Sequence, residues 1–333
     1  MGRESPRTPG LLAAREGILV QEYLVRRILF ALLVMWAVAT LVFLMMRAIP
    51  GDPVRALVGF EGDPAVVEQV RRNLGLDRPL PVQYVRWLAA LARGDLGNSI
   101  WNRQPVRTLL LEALPRTLSL AMFSFLIAVS LALPAGIVSA VRRYSLADHA
   151  LTVAAFLGLA MPDFWVGIVL IIVFSVFFQV LPAFGYEPVS RGLWAWLSHL
   201  ILPAVATGTS FAAILARMTR SALLEVLRED YVRTARAKGL EERAVILQHA
   251  LRNALIPVIT VMGIALALLL AGAVIAENVF AIRGVGRLLI EAILNRDYPI
   301  VQGTILVIAA IFVCMNLVVD LLYAVINPRI RYV

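Results

Sequence analysis

The nine residues Tyr231-Val-Arg-Thr-Ala-Arg-Ala-Lys-Gly239 combine a basic helical pattern with a terminal glycine, inside a chain that is otherwise strongly apolar. Glycine supplies the left-handed backbone conformation that a tight helix stop requires. Glu241 and Glu242 follow at once, where acids suit the positive end of a second helix dipole. Helix–glycine–helix in a short charged loop makes a docking surface for a soluble partner. Between Arg217 and Arg252 there are eight cations and five acids. That mixture suits a protein-binding face better than a polybasic lipid tether, which would lack the acids. The bland alternative is a solvated loop that merely joins two membrane spans.

Other residues with chemical potential are sparse. Asp163, in Pro162-Asp163-Phe164-Trp165, is the only acid deep inside an apolar run. An ion at such a depth is a candidate for a substrate path, although it could equally hydrogen-bond the end of a broken helix. Glu277 and Asn278 end a later apolar run, where they could line an outer gate or simply be satisfied at the interface. His149, His199 and His249 fall in different segments, with no pair one helical turn apart, which argues against a metal centre. Lys238 is the only lysine and precedes Gly239, so the Gly-Lys-Ser/Thr of a phosphate-binding P-loop is absent. Gly284-Val-Gly286 has no strand before it and reads as an external turn. No Gly-x-Ser-x-Gly elbow occurs. Cys314, the single cysteine, cannot form an internal disulfide and reads as a small hydrophobe in an apolar run. Neither enzymatic activity nor a cofactor is expected of this chain.

The elements that must position these residues are membrane helices. Of 333 residues, 60% are hydrophobic and 16% charged, and the mean hydropathy is +0.82. Such a balance lies outside that of soluble domains. A helix crosses the hydrocarbon with about 20 apolar residues. Runs of that kind cover 28–46, 117–141, 149–186, 192–216, 253–276 and 298–319, which makes six. The third run exceeds one crossing, and Pro162 within it predicts a kink or break. With the N-terminus inside, the cytoplasmic pieces hold 17 cations and the two short external loops hold four. This asymmetry places both termini in the cytoplasm. The net charge of +9 therefore reflects orientation and lipid headgroups, not nucleic acid. The resulting layout is all-α and polytopic: a cytoplasmic tail over 1–27, a first span over 28–47, an external segment over 48–115, and a core over 116–333. The core includes a cytoplasmic segment at 217–255.

The tail over 1–17, with Pro6, Pro9 and Gly10, reads as disordered. The external segment reads as a small helical cap. Pro64, Pro81 and Pro105 open helical patterns, and Gly75 and Gly94 close the first two. Tyr84, Trp87, Leu88 and Leu91 share one face. The cap could be a packing platform or a dock for an external partner. On the cytoplasmic side, Ser221 is a candidate cap for a helix carrying Leu223, Leu224, Leu227 and Tyr231.

The 231–239 stretch, followed by His249-Ala-Leu-Arg-Asn-Ala-Leu-Ile-Pro257, resembles the cytoplasmic signature of binding-protein-dependent ABC importer permeases, in particular the dipeptide/oligopeptide/nickel subfamily. Ile49-Pro-Gly-Asp-Pro53, Leu74-Gly-Leu-Asp77, Arg93-Gly-Asp-Leu-Gly97, Pro162-Asp-Phe-Trp165, Asn295-Arg-Asp-Tyr-Pro299 and Asn327-Pro-Arg-Ile-Arg331 extend the likeness over nearly the whole chain. The general signature opens with Glu-Ala-Ala, whereas this chain has Arg233-Thr234-Ala235, a departure shared with the peptide subfamily.

The resemblance implies half of a translocation path in a prokaryotic cytoplasmic membrane. It also implies a second permease subunit and an extracytoplasmic substrate-binding protein. Two ATPase subunits would carry ATP and Mg2+ and grip Tyr231, Arg233, Thr234, Ala235, Arg236, Ala237, Lys238 and Gly239. Short peptides are the implied cargo, with nickel chelates, glutathione or another small solute as alternatives. A different class, a stand-alone secondary transporter or channel, would call for several buried ionisable groups and an internal repeat.

Overall fold

The computed structural model describes residues 9–48, 64–73 and 75–326. The motifs at 49–53 and 327–331, with Asp63 and Leu74, lie outside them. The protein is a bundle of long helices, α1 (Pro9–Ala48), α4 (Val106–Val141), α7 (Leu193–Val226), α9 (Leu251–Val279) and α11 (Tyr298–Ile326), joined by shorter ones. The short helices are α2 (Pro64–Asn73), α3 (Leu80–Ala92), α5 (Leu146–Ala160), α6 (Asp163–Leu170), α8 (Asp230–Ala237) and α10 (Val285–Leu294). Five helices are long and apolar enough to cross a membrane, and a bent pair raises the number to six. The six apolar runs thus fall on five long helices and one bent pair.

α1 begins at Pro9, so the first helix reaches back into the stretch that the sequence suggests is disordered. Beyond Pro9, residues 11–27 are mostly good helix formers, and proline itself is tolerated in the first turn. α4 also starts early and runs straight through Pro115 and Pro134. Its 36 residues extend roughly 54 Å, more than the hydrocarbon needs, so one end stands in water.

α4 and α7 form the most extensive helix–helix contact. A Cβ on Gly136 would strike Thr219, and one on Gly208 would strike the Ser124 carbonyl oxygen. Ser124 Oγ and Thr207 Oγ1 are hydrogen-bonded at 2.6 Å in the same seam. Small residues admit close backbone approach, the packing force available where lipid removes the hydrophobic drive.

The third apolar run breaks where proline predicts. α5 stops at Ala160, Pro162 caps α6, and the pair is bent by 103°. A proline supplies no N–H and disfavours the helical conformation in the residue before it, here Met161. α6 continues as a π-helical segment over Ile171–Phe177.

The cap helices follow their proline and glycine punctuation, with Gly75 and Gly94 at φ +66° and +77°. α3 seats its aromatic face on α1: Phe43 lies 5.3 Å from the Tyr84 ring and 5.5 Å from Trp87, centroid to centroid. Thr40 Oγ1 and Tyr84 Oη are hydrogen-bonded at 2.8 Å.

Candidate functional site

α7 runs through Ser221 to Val226, so Ser221 is an interior helical residue and not a cap. No helix breaker stands between Phe211 and Val226, so tertiary packing carries the helix on. A turn over residues 227–229 then leads into α8, whose N-cap is Glu229. α8 is two-faced. Val232 and Ala235 are buried, in one apolar cluster with Ala140 of α4, Leu223 of α7 and Ala254 of α9. Tyr231, Arg233, Thr234, Arg236, Ala237, Lys238 and Gly239 are exposed. Of the eight residues picked out from sequence, Ala235 alone turns inward, at 8% exposure. It helps seat the helix, while the others face outward.

Gly239 ends α8 at φ +78°. Its N–H donates to the Arg236 carbonyl at 2.9 Å, and the Leu240 N–H reaches the Ala235 carbonyl at 3.4 Å. A Cβ at Gly239 would meet nothing within 4 Å, so glycine is required by backbone angle and not by crowding. Arg236 forms a two-pronged pair with Glu242 across this turn, at 3.0 and 2.7 Å. The Glu242 carboxylate correspondingly raises the Arg236 pKa. Asn253 Nδ2 donates to Tyr231 Oη at 2.8 Å, tying α8 to α9. Leu240 and Leu247 stand exposed beside the charged face.

The surrounding spans are locked at this end by a group that sequence reasoning passed over. Asp148, 2% exposed, accepts both prongs of Arg220 from α7 at 2.9 Å. It also accepts the Ser139 hydroxyl of α4 and the Tyr144 N–H at 3.0 Å. Asp148 lies just outside an apolar run and Arg220 inside a charged loop, so neither is conspicuous in one dimension. The only available signal was an acid three residues after Ser145, which caps α5 by accepting the Asp148 N–H.

Asp163 sits in the first turn of α6, where its carboxylate accepts the Ser210 hydroxyl of α7 at 2.5 Å. The same hydroxyl reaches the Gly158 carbonyl at 3.3 Å, so one serine stitches both halves of the broken run to α7. Phe164 and Trp165 project outward, about half exposed, beside the exposed Pro162.

Glu277 is fully buried and fully bonded. Thr117 Oγ1 donates to it at 2.5 Å, and the N–H groups of Gly286 and Arg287 donate at 2.8 and 3.0 Å. It caps α10, whose N-terminal N–H groups need acceptors. Gly284-Val-Gly286, read from sequence as an external turn, is therefore the packed start of a helix. A Cβ on Gly284 would collide with the Glu277 carboxylate, and one on Gly286 with the Val274 backbone. Asn278 points elsewhere, donating to the Val274 carbonyl at 2.8 Å. The structure brings Glu277, Thr117 and α10 together but makes no bond between Glu277 and Asp163. Among the described residues no three His, Cys, Asp or Glu side chains converge as a metal site.

Comparison with known proteins defines the class. Residues 132–332 match the family described as "Binding-protein-dependent transport system inner membrane component", and residues 20–121 match the N-terminal region of such components. The chain belongs to this family and is a multi-pass membrane component of a binding-protein-dependent transport system. It is 41% identical over 310 residues to a probable peptide ABC transporter permease protein of Sinorhizobium fredii, covering 93% of this chain and 99% of the relative. It is 43% identical over 331 residues to a di/tripeptide transport system permease protein of Pseudomonas aeruginosa, covering 93% and 98%. A glutathione transport system permease protein of Pectobacterium atrosepticum is 44% identical over 311 residues, covering 93% and 99%. Among solved structures, the MetNI methionine ABC transporter in its inward-facing form shares the fold. Its TM-score is 0.54 at 20% identity, covering 66% of this chain and 97% of that one.

Proposed function

We propose that this chain is one of two permease subunits of an ATP-driven importer of short peptides, and that α8 with Gly239 is where an ATPase subunit grips it. The observation that carries this reading is the seating of α8. Its inner face is packed on the ends of three spans, while its outer face presents Arg233, Arg236, Lys238 and Tyr231. A force applied to that face is transmitted to α4, α7 and α9 together. The Asp148–Arg220 pair extends the grip to α5. Family membership supplies the context, since binding-protein-dependent systems place energy coupling and substrate capture in other subunits.

In this reading residues 217–255 face the cytoplasm along with both termini, including the 1–27 tail that precedes the first span at 28–47. The cap within residues 48–115 faces outward, and the core over 116–333 forms half of the path. An extracytoplasmic binding protein delivers cargo on the cap side. ATP and Mg2+ bind the ATPase pair, whose closure draws the two coupling segments together and alternates access across the path. ATP moves that equilibrium only by its differential affinity for the two states. The exposed Pro162, Phe164 and Trp165, with Asp163 beside them at the 103° break, form the best-placed stretch for the path. Glu277, saturated by its cap, serves it by holding α10. Relatives named for di/tripeptide and glutathione transport favour small peptides as cargo. Ligands retained by the cognate binding protein would identify them.

The test is uptake of a labelled dipeptide by the complete transporter in liposomes. Gly239→Pro forces φ near −65° where +78° is needed and deletes the N–H bonded to Arg236. ATP-driven uptake should fall by about tenfold or more, with the permease still folded. Undiminished uptake in that variant would remove α8 from the coupling role.

A further inference from the structure

At the end of the bundle opposite Gly239 lies a cavity of about 430 Å³ between α1, α3 and the start of α11. Among the described residues four arginines line it, Arg47, Arg72, Arg78 and Arg86, and no acidic side chain does. Arg47 is anchored by Gln83 Oε1 at 2.9 Å and lies over the Phe43 ring at 4.6 Å. Arg72 approaches Glu68 at 3.4 Å. The guanidinium groups of Arg78 and Arg86 have no ion-pair or hydrogen-bond partner among the described residues. Gln302, 5% exposed, also lines the cavity.

We propose that this cavity binds the phosphate group of an anionic phospholipid in the leaflet on the cap side. Planar guanidinium forks match phosphate oxygens in a way a point charge cannot. Depth favours lipid as the source. Arg47 is in the last turn of the span Val25–Ala48, and Gln302 is in the second turn of the span Tyr298–Val318. The cavity therefore opens where two spans leave the hydrocarbon, beside Trp87, an interface residue. α1 touches the bundle chiefly through α11, which puts the cavity at the rim. α3 exposes Val82 and Val85, about one helical turn apart, an apolar pair suited to the acyl boundary.

The experiment is native mass spectrometry of the full chain released from nanodiscs holding equal phosphatidylglycerol and phosphatidylcholine. The wild-type protein should retain phosphatidylglycerol selectively. The double variant Arg78→Gln/Arg86→Gln should lose that retention by about thirtyfold, at about 1 kcal/mol per arginine near a headgroup surface. Arg191→Gln, on the loop before α7, should leave retention unchanged. Both arginines are exposed and have no side-chain partner among the described residues, so their loss leaves the fold intact. Equal retention by wild type and double variant overturns the proposal. So does displacement of the lipid by millimolar inorganic phosphate, which would make the ligand a free anion. Displacement by a peptide with a free C-terminal carboxylate would likewise reassign the cavity to cargo or its carrier.

Discussion

Single residues here are constrained for three different reasons. Gly239 needs a backbone angle, Gly284 needs space, and Asp148 needs a partner. Gly239→Ala should therefore cost only about 1 kcal/mol, the strain of a side chain in the left-handed region. Gly284→Ala drives a methyl group into the Glu277 carboxylate. It should destabilise the protein by about 1–3 kcal/mol through overpacking, visible as a lowered Tm in detergent. Arg220→Gln leaves the buried Asp148 carboxylate without its countercharge. Because Arg220 is partly open to solvent, the cost should lie near about 2–3 kcal/mol, below that of a fully enclosed pair. The double change Arg220→Gln/Asp148→Asn should recover part of it. Additive losses in that cycle would mean that the two side chains do not act as a pair.

At the scale of elements, interfaces are held by a few side chains each. The cap rests on α1 through Phe43, which is 2% exposed and packs on Tyr84 and Trp87. Phe43→Ala should cost about 3 kcal/mol. The loss should fall on the α1–α3 contact, so that limited proteolysis cuts within the cap before the core is lost. The broken run is stitched to α7 by Ser210 alone among hydroxyls bonded to Asp163. Ser210→Ala should loosen the α5–α6 corner and speed hydrogen exchange there, at a cost of about 1–2 kcal/mol in stability. Unchanged exchange at residues 158–166 would show that proline alone holds the bend.

At the scale of the whole molecule, the described chain has large apolar surfaces without a protein neighbour. Leu29, Phe30, Leu32 and Leu33 on α1, and Phe156, Leu157, Phe164 and Trp165 at the bent pair, are all exposed. Lipid can cover the first group. In the proposed importer the second group would lie at the translocation path, against the partner permease. Reconstituted alone, the polypeptide should accumulate no solute against a gradient. With a second permease and ATPases it should do so on addition of ATP. Uphill uptake by the lone chain on an ion gradient would place it with secondary transporters instead.

Much of this was legible in one dimension. Apolar run length counts crossings because the bilayer has a fixed thickness, and proline and glycine mark helix ends because they restrict or release the backbone. The break at Pro162, the stop at Gly239 and the helices of the cap were readable on those grounds. What only the tertiary structure decided is which polar groups meet. Asp148 with Arg220, Glu277 with Thr117 and α10, and Asp297 with Ser99 join residues 72, 160 and 198 positions apart. Such pairs form because a buried polar group must find a partner wherever the packed helices deliver one, and sequence spacing does not encode that meeting.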